Sequence, residues 1–313
     1  LEYLASPELE GRLTGTPGEI KATEYAANFF ERLGLKPGGD NDTFFQEFDF
    51  TAGVSVGQDN DLTLKIGDET ISPEVDKEWR PISFSQNGTF AESRIAFAGY
   101  GIELPEDEYS SYFHLDVKGK WVMVLRYFPE NAPEDLRKKL RRYAGARHKA
   151  TAARRKFAAG IIFVTGPETV VNEELIPMQF DASLADSGIP AITISTDLAK
   201  KLMKNAGKDF SELHKALDSG EMKQGFDIPG ATIEGSIDVD QEKKVGRNVL
   251  AVLDAGQKGY HPNPAVMIGA HIDHLGAKSG PGSLARKGEQ NQIHFGADDN
   301  ASGISGLFEI AEY

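Results

Sequence analysis

The residues best suited to chemistry lie near the end of the chain. His271-Ile272-Asp273-His274 directly follows an apolar run, residues 264–270. An imidazole leaving the carboxyl end of a buried strand stands where open α/β sheets bind ligands. A carboxylate two residues further on can hydrogen-bond an imidazole nitrogen and fix the tautomer that a metal needs. Taken alone, the motif also reads as a polar turn carrying a structural histidine. The second candidate is Gly296-Ala297-Asp298-Asp299-Asn300-Ala301-Ser302-Gly303, placed where a helix begins. Its Asp, Asn and Ser side chains suit an ordinary helix N-cap. A carboxylate at so tight a turn can also bridge two metal ions, which hydrolytic sites hold about 3.5–4 Å apart.

The elements that must position these motifs follow from periodicity. Ala22, Ala26, Phe29, Phe30 and Leu33 fall on one helical face, with Thr16-Pro17 as its start and Gly34 as its stop. Residues 44–50 alternate as a strand with one aromatic face. From about residue 51 to 240 the texture changes, with strands expected at 94–101, 121–125, 160–164 and 189–194. Helices are expected over about 133–159 and 196–206. A strand begins at Arg247, and residues 264–270, apolar on both faces, predict a strand of a covered sheet. Ile304, Leu307, Phe308 and Ala311 recur at helical spacing after the second motif.

Composition excludes several classes. The chain has 313 residues, 40% hydrophobic and 26% charged, which is ordinary for a globular protein. Its formal net charge of −14 disfavours a general attraction to nucleic acid or anionic membrane. There is no cysteine, so thiolate metal sites and disulfides are ruled out. No apolar run approaches the roughly 18–20 residues of a membrane span. The ten Lys and Arg between 137 and 156 form a basic face, expected to be solvated. His294 is expected in a surface loop, and His114, His148, His214 and His261 have no partner at metal-ligand spacing. Glu10, Gly11 and Arg12 are expected to be structural, with Arg12 pairing a carboxylate.

Taken together, strand, HxDH, a Gly/Pro-rich loop, GADDNASG and a helix form a specific arrangement. It resembles the M28 family of co-catalytic zinc aminopeptidases, in the bacterial branch with a protease-associated (PA) domain. The stretch GAHIDHLGAKSGPGSLARKGEQNQIHFGADDNASG is similar to that branch almost throughout. LEYLASPELEGRLTGTPGEIKATEYAANFFERLGLKP resembles its N-terminus, and FAGYGIELPEDEYSSYFHLDVKGKWVMVL resembles the opening of its PA insertion.

The resemblance implies an α/β fold: a mixed-sheet zinc-exopeptidase-like domain, incomplete here, with an inserted β-rich PA-like domain. Residues 1–50 and 241–313 would belong to the peptidase domain, and 51–240 to the insertion. His271 matches a zinc ligand and Asp273 the carboxylate that orients it. Asp299 matches the ligand that bridges two zinc ions, followed by a cis link to Asn300, while Asp298 is a supporting residue of the turn. The family's Glu-Glu pair, which includes the general base, and its later Asp and His ligands have no counterpart among these residues. The intact protein is therefore expected to be a two-zinc aminopeptidase acting on peptides with a free N-terminus, and the 313 residues alone are expected to be inactive. A non-catalytic PA-domain interaction protein with a vestigial metal site is the alternative. The resemblance also implies export to the periplasm or beyond, and a truncated surface able to dimerise or to take up a complementing polypeptide.

Overall fold

A computed structural model describes residues 1–104, 109–169, 174–179, 186–254, 265–277 and 292–313. His261, Pro264 and the Gly/Pro-rich loop over 278–291 lie outside the described residues. The chain divides into two compact units, Leu1–Ala52 with Lys243–Tyr313, and Gly53–Glu242. In chain order, α1 (Pro17–Arg32) is followed by β1 (Lys36–Pro37) and β2 (Phe45–Val56), which leads into the second unit. There follow β3 (Asp61–Ile66), β4 (Glu69–Ile71), β5 (Trp79–Pro81), β6 (Gly88–Phe97) and β7 (Trp121–Leu125). Next come α2 (Glu134–Arg141), α3 (Ala146–Arg155), β8 (Gly160–Val164) and β9 (Ala191–Ile194). The second unit closes with α4 (Thr196–Asn205), α5 (Phe210–Asp218) and β10 (Phe226–Ile237). The chain returns through β11 (Val239–Val249), paired with β2, and β12 (Ala251–Val252), paired with β1. A distorted turn, Ala297–Ala301, then runs into α6 (Ser302–Glu312).

The fold is α/β, and the second unit is built on a mixed eight-stranded sheet in the order β4-β3-β10-β6-β7-β8-β9-β5. Strands β6 to β9 run parallel and the others pair antiparallel. All five residues of β7 are buried: Trp121, Met123 and Leu125 join one core, Val122 and Val124 the other. A strand apolar on both faces is what a sheet covered on both sides requires.

The basic stretch departs from the sequence reading twice. It forms two helices rather than one, because Gly145 adopts an extended backbone at the start of α3. It is also not wholly solvated. Lys149 is 1% exposed, sharing the stripe of Ala150 and Ala153, and its ammonium donates to the carbonyls of Leu125 and Tyr127 at 2.8 and 2.6 Å. Burial, and after it the charge of Arg126, hold the Lys149 amine well below its ordinary value. A depressed folded value means the unfolded chain takes up the proton more readily. The group then adds stability at high pH that is lost as pH falls through the folded value. Lys149→Met is expected to flatten this dependence. In thermal melts, wild type should gain stability relative to the variant as pH rises toward the ordinary lysine value, and parallel curves would refute it.

In the first unit, α1 meets α6. Ala22, Ala26 and Phe30 are buried with Ile304 and Phe308, and Phe29 stacks on Phe308 at 4.2 Å between ring centroids. This packing holds the start of α6, and with it the GADDNASG turn, beside the N-terminal segment.

Of the strand expected over 264–270, the described residues 265–270 form none, and Val266 and Met267 are 90% and 91% exposed. An apolar strand needs neighbours in its sheet and cover on both faces, and among the described residues no strand pairs with this run.

Candidate metal centre

The two motifs meet through glycine. Gly296 has φ +59°, and a Cβ there would lie 2.6 Å from the His274 ring, so only glycine allows the loops this close. His271 Nε2 stands 2.9 Å from Asp299 Oδ1, and His274 Nδ1 stands 3.8 Å from Asp299 Oδ2. On the other side of the His271 ring, Nδ1 lies 3.1 Å from the backbone carbonyl oxygen of Asp273 and 3.5 Å from its Oδ1. The remaining oxygen, Asp273 Oδ2, accepts from Thr14 Oγ1 at 2.9 Å. The peptide bond between Asp299 and Asn300 is cis. Asp298 is exposed in the same turn, and its carbonyl accepts from Ser302 Oγ at 2.8 Å.

These partners test the fit of a cation. The groups facing the His271 ring are all acceptors, whereas a neutral imidazole has one N–H and one lone pair. With the proton on Nδ1, serving the Asp273 carbonyl, the Nε2 lone pair points at a carboxylate oxygen. That contact needs a positive charge at or between the two atoms, either a proton on Nε2 or a bound cation. Two ligands of one tetrahedral zinc, each at about 2.0–2.1 Å, sit about 3.3 Å apart. The observed pair is within a few tenths of an ångström of that spacing, and both side chains are open to solvent, at 54% and 70% exposure. The residues present fit a zinc ion by donor type and by spacing. Among the described residues, no group of three or more His, Asp or Glu is arranged to hold an ion. His271 and Asp299 are thus a facing pair of donors rather than a closed cage.

Other residues near the site differ from the sequence reading. Arg12 is buried, and its guanidinium donates to backbone carbonyls rather than to a carboxylate: those of Leu4, Ile272, Phe295 and Gly296. Burial lowers its pKa, while Asp273 and Asp299 pull it back up. His274 carries no assignment from the sequence, yet it lies beside Asp299. Burial lowers its pKa and Asp299 opposes the shift. His294 is half-buried, with its ring 6.4 Å from that of His274. His214 is structural and buried in the second unit, between Tyr100 Oη at 3.2 Å and the Glu168 N–H. Thr14 escaped the sequence reading, as did the carbonyl partners of Arg12, because these partners lie some 260 or more residues away.

The chain thus sets an imidazole and a carboxylate against each other on two loops of an α/β fold. Residues 248–313, which include both loops, match the family model for Peptidase family M28. Among solved structures, the chain is similar to an aminopeptidase from Aneurinibacillus sp. strain AM-1, at 20% identity and a TM-score of 0.42. It is also similar to BSAP, a zinc aminopeptidase from Bacillus subtilis, at 17% identity and a TM-score of 0.37. The first likeness covers 99% of this chain and 57% of the other; the second covers 98% and 54%. The chain therefore spans little more than half the length of these proteins. A search of the curated proteins finds no match.

Proposed function

We propose that the protein is a metal-dependent peptidase, and specifically an aminopeptidase that removes N-terminal residues from peptides. The observation that carries this reading is the approach of His271 Nε2 to Asp299 Oδ1 at 2.9 Å, within a segment that matches the M28 family model. His271 would hold one zinc ion and Asp299 would bridge it to a second, with Asp298 and Asn300 supporting the turn. Bound zinc would supply a Lewis acid and lower the pKa of a coordinated water. The residues of this chain prepare that chemistry. Asp273 keeps the His271 proton on Nδ1, and Asp299 presents both oxygens. The exposed carboxylates favour the cationic α-amine of a peptide near the ions.

The unit Gly53–Glu242 is proposed as a PA-like insertion. Among the described residues, no helix is long and apolar enough to cross a membrane. Export is proposed on the family resemblance alone. The 313 residues by themselves are proposed to be inactive, because the general base and the further ligands implied by that resemblance are not matched among them.

The test is hydrolysis of an aminoacyl anilide, with zinc supplied, by this chain and by any longer product of its gene. No turnover is expected from the chain alone. Turnover by a longer product should vanish when the substrate's α-amine is acetylated. Equal rates on the acetylated substrate would exclude an aminopeptidase, and turnover by the 313 residues alone would exclude their inactivity.

A further inference from the structure

The N-terminal segment reaches into the metal centre at two points. The acceptor 3.1 Å from His271 Nδ1 is the carbonyl of the Asp273–His274 peptide. The N–H of that same peptide donates to the Arg12 carbonyl at 3.1 Å. One peptide earlier, the Ile272 carbonyl accepts from Arg12 Nε at 2.7 Å. Both peptides around Asp273 are thus held by a single residue. The second acceptor near Nδ1 belongs to the Asp273 carboxylate, whose other oxygen is held by the Thr14 hydroxyl at 2.9 Å.

Arg12 also joins the two motif loops. Its guanidinium donates to Phe295 and Gly296 at 2.8 and 2.9 Å, on the loop that leads to Asp299. Beside it, Gly11 has φ +74°, and a Cβ there would lie 2.6 Å from the His294 carbonyl oxygen and 2.7 Å from that of Gly276. The segment is wedged between the loops with no room for a side chain at residue 11. A guanidinium only 1% exposed is costly to bury unless its donors are met, and here the carbonyls of both loops meet them.

We propose that Arg12 and Thr14 are positioning residues of the metal centre. They fix the two acceptors that face His271 Nδ1 and so keep Nε2 unprotonated and aimed at Asp299. The proposal rests on the metal-centre reading given above.

The test compares wild type with Thr14→Val, which keeps shape and loses the hydroxyl, and Thr14→Ser, which keeps the hydroxyl. Nitrogen NMR of the metal-free protein, at a pH well above the ordinary imidazole pKa, reads the tautomer of His271. Competition with a chromophoric chelator reads zinc affinity. Wild type is expected to hold the Nδ1–H tautomer. Thr14→Val should shift to a mixture and bind zinc about ten-fold more weakly, as loss of partners behind a ligand typically does. Thr14→Ser should restore both, with all three thermal midpoints alike. Arg12→Lys keeps the charge without the fork and should also release the tautomer; if it fails to fold, the Thr14 pair still decides.

An unchanged tautomer and affinity in Thr14→Val would overturn the proposal, as would a loss that serine does not rescue. A wild type that holds the tautomer but binds no zinc would sink the metal-centre reading and leave the positioning role standing. Zinc binding that is indifferent to Thr14 would sink the positioning role alone.

Discussion

Zinc binding by the 313-residue chain is expected to be weak and to disappear in a His271→Ala, Asp299→Ala double variant. Structural zinc sites with four ligands bind with about 10–16 kcal/mol at neutral pH. Two ligands supply roughly half of that, about 5–8 kcal/mol, or a Kd between about 1 and 200 µM. The two side chains lie 2.9 Å apart and are open to solvent, so neither compensates for loss of the other. Each single variant should lose roughly a hundred-fold, and the double variant should show no binding above background. Asp298→Ala is the control, since its side chain is exposed and only its backbone has a stated role in the turn. Calorimetric titration or chelator competition would measure all four. Tight binding that survives the double variant would put the donors elsewhere and end the assignment of this site.

The largest expected effect on stability is that of Trp121→Ala. Trp121 is fully buried at the start of β7, with the Phe90 ring 4.6 Å away. A Cβ on Gly160 would lie 2.5 Å from the indole, so that residue 160 is small because Trp121 is large. Removing so large a buried side chain costs about 3–5 kcal/mol. The indole N–H makes no hydrogen bond, so its loss returns a little of that. For a unit of this size the cost corresponds to a fall in thermal midpoint of about 6–20 °C. Differential scanning calorimetry would measure it. A loss below about 1 kcal/mol would mean that the pocket collapses around the gap, contrary to the close packing described.

How far the sequence foretold the structure differs from element to element. His271 and Asp299 each stand in a compact motif whose spacing is readable without the fold, and the structure brings the two side chains together at 2.9 Å. Strands β7 and β8 were legible because runs of five and four consecutive apolar residues admit few other environments. The partners of Arg12 and Thr14 were not, because a bond spanning some 260 residues leaves no local pattern at either end. The apolar run at 264–270 misled for a related reason. Periodicity reports what a segment could bury, and says nothing of whether a neighbouring strand is there to bury it. Lys149 is a different case. Ala146, Lys149, Ala150 and Ala153 follow the spacing of one helical face, so its burial was written in the pattern and hidden by the surrounding charge.

The ribbon of β2 and β11 carries a consequence for how such a chain can change. Its rungs run from Gln46 with Asn248, through Thr51 with Lys243, to Gly57 with Asp238. The points where the chain enters and leaves the second unit, Gly53 and Glu242, therefore lie side by side: a Cβ on Gly53 would be 3.0 Å from Glu242 Oε2. A stretch whose two ends are neighbours is a cassette. It can be gained, lost or exchanged between lineages by splicing at one place on a hairpin, with no re-threading of the remaining chain. The loops bearing His271 and Asp299 lie in the other unit, outside the stretch between those two ends.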